Sequence, residues 1–412
     1  MLLLEHDGKQ LLADRGIAVA PGVLIDDAAG CATASLPPGP WVVKAQVPVG
    51  GRGKAGGIRM ADTLDDVAAE VAALADARIR GHAVRGCRVE QRIAGGREAY
   101  LSLMVDPAGA GVRVLMSASG GVDIEALARR QGALLSAVAE PEPAAVEQAA
   151  LNLADQLDGP CRDALRDAAR RLAAAFFDME ALLLEINPLF VRAGGRGDGE
   201  GNSDIDGNGN SNSGNGNGNV NWVVGDAKII LDDNALARHE ELAAMVRARA
   251  RAYPETAFKL AEDFDYVELD PHGEVGMVTT GAGLSMMLID QMSEAGLRAF
   301  NFLDIRTGQM RGDPHRLLRV FDAMRHGRDI KVLLVNIFAG ITHLGEFARL
   351  LTHALTHTPA LKDLPVVARL IGNGQDEARA ILAGGGMTIF MEEDLEAALA
   401  RVTQLVKAAK NP

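Results

Sequence analysis

The chain has 412 residues, more than one ordinary core organises, so two or three domains are expected. Hydrophobic residues make up 48% and charged residues 24%, values that exclude a collagenous, coiled-coil or wholly disordered chain. A net charge of −13 with 4% aromatic residues argues against a nucleic-acid groove, which needs basic stripes and stacking platforms. No apolar run approaches the ~20 residues that cross a bilayer, and Glu5 and Asp7 directly after the leucines at 2–4 are unlike a signal peptide. The three cysteines, Cys31, Cys87 and Cys161, are odd in number and far apart. They speak against a disulfide framework or structural zinc and for a reducing cytoplasm.

In chain order, Trp41–Val47 reads as a strand. The run Val49-Gly50-Gly51-Arg52-Gly53-Lys54-Ala55-Gly56-Gly57 follows it and leads into a second strand, Gly57–Met60. Glycines let backbone N–H groups approach phosphate oxygens, and Arg52, Lys54 and Lys44 supply charge. It is not a Walker A loop, because Ala55 stands where Ser or Thr would meet magnesium; a plain surface hairpin is the competing reading. Thr63 and Asp66 have capping-box spacing and open a helix with Leu64, Val67, Val71 and Leu74 on one face. A second strand pair is expected at Arg88–Gln91 and Ala99–Val105.

From about 194 to 221 the chain is almost entirely Gly, Asn, Ser and Asp. Such a stretch cannot bury enough apolar surface to offset its ordering entropy. It reads as a flexible loop inserted between strands Leu182–Ile186 and Trp222–Val224, since loop-closure cost grows only logarithmically with length. A hairpin of this kind makes Asn187 and Asp226 face each other, and an amide oxygen with a carboxylate, waters and phosphates suits Mg²⁺.

After about residue 265 short apolar runs alternate with helical segments: Val275–Thr279, Phe300–Ile305, Val332–Phe338, Val366–Leu370 and Thr388–Met391. Five strands spaced by helices predict a parallel sheet covered on both faces, with ligand loops at the carboxyl ends of its strands. Those loops carry Thr280-Gly281-Ala282-Gly283, Arg306-Thr307-Gly308 and Ala339-Gly340-Ile341-Thr342-His343. The two strand-to-helix turns among them can present N–H groups to an anion. Met286 takes the place of the third glycine of a dinucleotide fingerprint, which speaks against that use. His353 and His357 are four apart on a helical segment, but without an acidic partner zinc is disfavoured.

The motifs and their order resemble the β subunit of ADP-forming succinate–CoA ligase (succinyl-CoA synthetase) nearly end to end. Lys9-Gln10-Leu11-Leu12, Trp41-Val42-Val43-Lys44 with its glycine-rich loop, Glu185-Ile186-Asn187-Pro188-Leu189, Asn301-Phe302-Leu303-Asp304 and Val335-Asn336-Ile337-Phe338 carry the likeness. The resemblance implies an α/β chain: a two-lobed ATP-grasp domain over 1–235, a helical connector over 236–264, and a flavodoxin-like parallel-sheet CoA-ligase domain over 265–412. It implies that Lys44, Gly51, Arg52, Gly53, Glu90, Ile93 and Glu98 bind ATP or ADP. Asn187 and Asp226 would hold Mg²⁺, and Glu185 would be catalytic, near the phosphoryl group in flight. Thr280, Gly340, Ile341 and Thr342 would contact the carboxylate substrate. A partner α subunit would carry the phosphorylated histidine and most of the CoA site; neither nucleic acid nor membrane is an expected partner.

Three departures fall on the carboxylate side. Thr280 replaces the family's Asn, Arg306-Thr307-Gly308 replaces three glycines, and Ala339-Gly340-Ile341-Thr342-His343 lacks the family's arginine. Succinate is the expected acid, with malate or another di- or tricarboxylate as the alternative; ATP is the expected nucleotide, and the choice between ATP and GTP stays open. Two readings of other kinds stay open. A stand-alone ATP-grasp carboxylate–amine ligase leaves the C-terminal sheet unexplained. A non-catalytic nucleotide-binding paralogue is opposed by the intact Lys44, Asn187 and Asp226.

Overall fold

The computed structural model describes residues 1–121, 129, 133–192, 221–310, 312–340 and 342–410. The chain divides into two compact units, residues 1–242 and 243–412.

The first unit holds two larger antiparallel sheets. In one, the strands run in the order Gly22–Ile25, Cys87–Gln91, Trp41–Ala45, Ile58–Ala61. The glycine-rich run is the tip joining the last two, with Lys44 opposite Ile58. The helix Leu64–Ala75 starts at the expected capping box: the Thr63 hydroxyl accepts from the Asp66 N–H at 3.1 Å, and Asp66 accepts from the Thr63 N–H at 2.9 Å. Val67, Val71 and Leu74 pack with Val43, Ala45 and Val89 of this sheet. Leu64, expected on that face, is 63% exposed. It occupies the first helical position, beside the cap and beyond the strip the later residues bury.

The other sheet is built on the long strand Ala181–Arg192. Arg97–Asp106 pairs along one side of it, followed by Gly111–Ser117 and Leu135–Ala139. Its other side takes two strands in succession, Ala227–Leu231 against Ala181–Ile186 and Asn221–Val224 against Leu189–Arg192. The antiparallel hairpin around the Gly/Asn-rich insertion is therefore present, although the partner of Leu183–Ile186 is Ala227–Ile230 and not Trp222–Val224. The insertion itself, 193–220, lies outside the described residues. Arg88–Gln91 and Ala99–Val105, expected as a pair, belong to different sheets. Both flank a short loop, which sequence alone reads as a hairpin connection.

In the second unit, strands Val275–Thr279, Val332–Ala339, Val366–Gly372 and Ile389–Met391 form a parallel sheet in that order. Its apolar residues point to both faces: Leu333, Val335 and Ile337 to one core, Val332 and Leu334 to the other. The expected fifth parallel strand is Asn301–Asp304, whose ladder runs instead antiparallel to Asp265–Glu268. Backbone hydrogen bonds tie it to Val275–Thr279 only at the ends, from the Phe300 N–H to the Val275 carbonyl and from the Ile305 N–H to the Thr279 carbonyl. Between them the fully buried Asn301 side chain takes the place of the ladder. Its Oδ1 accepts from the Met277 N–H at 2.9 Å, and its Nδ2 donates to the Met277 carbonyl at 3.0 Å. No helix among the described residues is long and apolar enough to cross a membrane.

Replacing Asn301 by Ala leaves a buried N–H and a buried carbonyl of Met277 without partners. The expected cost is about 2 to 4 kcal/mol, read by calorimetry as a lower thermal midpoint. An unchanged midpoint would show that the edge is not held by this side chain.

Candidate functional site

Within the first unit a cavity of about 1340 Å³ opens between the two sheets. Lys44, Gly51, Arg52, Gly53, Glu90 and Ile93 line it from the first sheet and its loops, and Glu98, Glu185, Asn187 and Asp226 from the second. Ten residues singled out between Lys44 and Asp226 in the sequence thus meet at one place. The glycine-rich tip is closed by hydrogen bonds from the Gly57 and Ala55 N–H groups to the Arg52 carbonyl, at 2.8 and 3.1 Å. Gly51 sits at φ +71°, a left-handed conformation that favours glycine.

Beneath the cavity lies a cluster of charges in which Glu5, Lys9 and Arg88, not singled out as site residues in the sequence, join Lys44, Arg52, Glu90 and Asp226. The helix Glu5–Asp14 presents Glu5 and Lys9, and strand Cys87–Gln91 presents Arg88 and Glu90 on the face away from its apolar core. Lys9, fully buried, bonds Glu5 at 2.9 Å, Glu90 at 2.7 Å and the Gly225 carbonyl at 2.7 Å. Lys44 bonds Glu5 at 3.1 Å, the same Gly225 carbonyl at 2.7 Å, and Glu90. Arg52 turns inward to Glu5, reaches Asp226 at 3.0 Å and the Ala45 carbonyl at 3.0 Å. Arg88 bonds Glu90 at 2.8 Å, and its other donors reach His6 Nδ1 and the Ala20 carbonyl. Four cations thus stand among three carboxylates, mostly out of water.

The electrostatics follow from that crowding. Burial pushes the Glu5 carboxyl up, but Arg52, Lys44 and Lys9 outweigh it and hold the group well below the usual carboxylate range. Glu90 is lowered in the same way: burial opposes, and Lys44 and Lys9 prevail. Burial lowers Lys9, whereas Lys44 is raised because Glu5, Glu90 and Asp226 overcome its desolvation. Two carboxyls move the other way. Burial raises Asp226 against the pull of Arg52, and burial raises Glu185 against Lys228, with the Asp226 charge adding to the rise.

Glu5 and Lys9 are four apart on a helix, a spacing that more often marks a solvated pair. Arg88 and Glu90 alternate with Cys87 and Val89, a pattern that reads as a half-exposed strand. Only packing of the helix on the strand, with the Gly225 turn of the other sheet against Lys9, buries them.

Asn187 and Asp226 come together as expected, by backbone contact: the Asn187 N–H donates to the Asp226 carbonyl at 3.2 Å, and the Gly225 N–H donates to Pro188 at 2.9 Å. Asn187 Oδ1 accepts from the Gly121 N–H at 2.7 Å. Gly121, missed in the sequence, is at φ +67°, and the Glu98 carboxylate occupies the space a Cβ would need. Its only signal was the Gly120-Gly121 pair after a strand. No group of three or more His, Cys, Asp or Glu able to hold a metal occurs among the described residues. The amide oxygen of Asn187 and the carboxylates of Asp226 and Glu185 offer hard oxygen donors only. That set fits a cation that keeps most of its ligands as water and phosphate.

In the second unit, Thr280 follows strand Val275–Thr279 and Gly340 follows the adjacent Val332–Ala339, so both loops lie at carboxyl ends of neighbouring parallel strands. Gly281, the N-cap of helix Ala282–Glu294, donates its N–H to Asp304 at 2.8 Å. Thr342 donates to the Thr307 hydroxyl at 3.0 Å, and with His343, Gly308 and Glu346 they line a cavity of about 220 Å³ that does not include Thr280. Ile341 lies outside the described residues. His353 and His357 stack at 4.0 Å, and His357 Nδ1 bonds the His353 carbonyl.

Glu5→Gln removes the carboxylate shared by three buried cations. Breaking a buried ion network in this way is expected to cost about 3 to 5 kcal/mol at neutral pH, measured by urea unfolding. A carboxylate held below its ordinary value of 4.5 contributes stability that is complete above that value and lost as the pH falls through its folded value. The variant is therefore expected to lose less stability than the wild type on acidification below about 4.5. Equal acid sensitivity of the two would refute the assignment.

The ATP-grasp domain family matches residues 2–191 and the CoA-ligase family residues 278–403. The ADP-forming succinate–CoA ligase subunit beta of Desulfurococcus amylolyticus is 34% identical over 413 residues, covering 99% of both chains. Its counterpart from Chloroflexus aggregans is 34% identical over 389 residues, covering 93% of both. ATP citrate lyase from Methanothrix soehngenii, solved with citrate and coenzyme A, has the same fold with a TM-score of 0.65 at 17% identity, over 99% of each chain. Near-full-length identity of this order, with both domain families in the same sequence, shows that the chain belongs to the family of ADP-forming succinate–CoA ligase β subunits.

Proposed function

We propose that this chain is the nucleotide-activating subunit of a two-subunit acid–CoA ligase that uses Mg-ATP, CoA and a small dicarboxylate, succinate before others. The observation that carries the reading is the convergence of Lys44, Arg52, Glu185, Asn187 and Asp226 on one cavity in a chain of this family. Phosphoryl transfer asks mainly for positioning and charge neutralisation. Lys44 is held cationic by its carboxylate neighbours and is a fixed positive charge for a terminal phosphate. Arg52 exchanges Asp226 for phosphate oxygen when nucleotide enters. Asn187 and Asp226 would hold Mg²⁺, which supplies charge neutralisation across the phosphates. Glu185, raised by burial against the pull of Lys228, lines the same cavity as Asn187 and Asp226 and would face the transferring group.

The histidine that accepts the phosphoryl group and the main CoA site belong, in this reading, to an α subunit, and the assembly works in the cytoplasm. The N-terminus of helix Leu344–Thr356, after the Gly340 loop, would stabilise that phosphohistidine through its N–H groups. A hydroxylated acid such as malate is the second reading. It is favoured by Thr280, by His343 in place of an arginine, and by the Thr342–Thr307 hydroxyl pair beside the loop.

With its partner present, Lys44→Ala and Asp226→Asn are each expected to lower turnover about 100-fold or more, the scale for losing a transition-state charge contact. The chain alone is expected to be inactive. Full ligase activity without a partner, or near-normal rates in both variants, would overturn the assignment.

Specificity is tested by Thr280→Asn combined with His343→Arg, assayed against succinate, malate, citrate and itaconate. The ratio of kcat/KM values is expected to shift toward succinate, because a site built for hydrogen bonds rejects acids that leave its donors unpaired. An equal loss for every acid would show that these positions do not choose the substrate.

A further inference from the structure

We propose that Arg80 is a phosphate-binding residue of the nucleotide site; the inference rests on the nucleotide reading above. Arg80 lines the large cavity from outside both principal sheets. It belongs to a small hairpin, Arg78–Ile79 paired with His82–Ala83. The two-residue turn is Arg80-Gly81, with φ of +51° and +87°. Positive φ at both central positions defines a turn that Asn-Gly or Gly-Gly makes most easily, and a long side chain at the first position is strained. Strain of this kind collects at ligand sites, where the side chain does something the turn alone does not need.

What the side chain does is visible in its one polar contact among the described residues. Arg80 Nη1 donates to the Gly50 carbonyl at 2.9 Å and stands 3.2 Å from where a Cβ on Gly51 would be. The guanidinium is therefore docked on the tip of the glycine-rich loop, and its remaining N–H donors are left for the cavity. The contrast with the cavity floor supplies the charge argument. Lys44 and Arg52 are already paired with Glu5, Glu90 and Asp226, and Arg92 at the rim is paired with Asp62 at 3.2 Å. Arg80 has no carboxylate partner among the described residues, so its charge is uncommitted and matches the outer phosphates of a nucleoside triphosphate.

The test is calorimetric binding of Mg-ATP and of adenosine to the full chain, purified with whatever partner it carries. Arg80→Asn suits the left-handed position and removes the cation; Arg80→Lys keeps the charge without the fork. In Arg80→Asn the thermal midpoint is expected to hold or rise, Mg-ATP to bind about 10- to 100-fold more weakly, the scale of a hydrogen bond to a charged group, and adenosine to bind unchanged. Arg80→Lys is expected to recover part of the loss. Wild-type affinity for Mg-ATP in Arg80→Asn would overturn the proposal, as would parallel losses of stability and of adenosine binding, which mark a strut only. If the wild-type chain itself binds no Mg-ATP, the nucleotide reading falls first and the role of Arg80 with it.

Discussion

The first unit depends on a buried ion network that no single element could hold. Glu5 comes from the first helix, Lys44 and Glu90 from one sheet, Arg52 from the loop between two of its strands, and Asp226 from the end of the other sheet. Each of these charges would be costly to bury alone, and the mutual attraction offsets desolvation only while every partner is in place. The Gly225 carbonyl takes hydrogen bonds from both Lys9 and Lys44, so even the backbone turn beside Asp226 is part of the arrangement. A Cβ on Gly225 would collide with the Phe190 ring and the Pro188 carbonyl, which explains why the turn can come so close.

Under the proposed function, this architecture divides two tasks that a phosphate site must reconcile. Cations have to be preorganised, yet isolated cations in a cleft destabilise the fold. Here the deep cations are stabilised by carboxylates, and in the proposed function the Arg52–Asp226 pair is the one that phosphate and metal would separate. The opposite shifts at Glu5 and Asp226 agree with that division. Glu5 is held charged by three cations, while Asp226 gains less from Arg52 and Lys44 than its burial takes away.

The second unit solves a polar problem by other means. The Asn301 amide stands in for two missing ladder bonds, and Thr279 and Ser285 both donate to the Leu303 carbonyl next to it. A strand that cannot continue the parallel ladder is thereby kept beside it. The loops after Thr279 and Ala339 remain at neighbouring strand ends.

The chain's own sequence determined the α/β character, the capping box at Thr63 and the hairpin around the Gly/Asn-rich insertion, and its short motifs carried the resemblance that named ten of the residues lining the cavity. These are local signals: cap chemistry, glycine runs, alternation, and short motifs with a mechanism. Tertiary structure alone decided which strands share a ladder, as with Asn301–Asp304 and with the separation of Arg88–Gln91 from Ala99–Val105. It also decided which charges are buried. Glu5, Lys9 and Arg88 look like ordinary solvated residues in the sequence, because desolvation is set by elements far away along the chain. The pairing of Glu5 with Arg52 and of Arg52 with Asp226 spans 47 and 174 residues. No periodicity or spacing encodes a contact of that range; only the tertiary packing that brings helix, glycine-rich loop and Gly225-Asp226 turn together creates it.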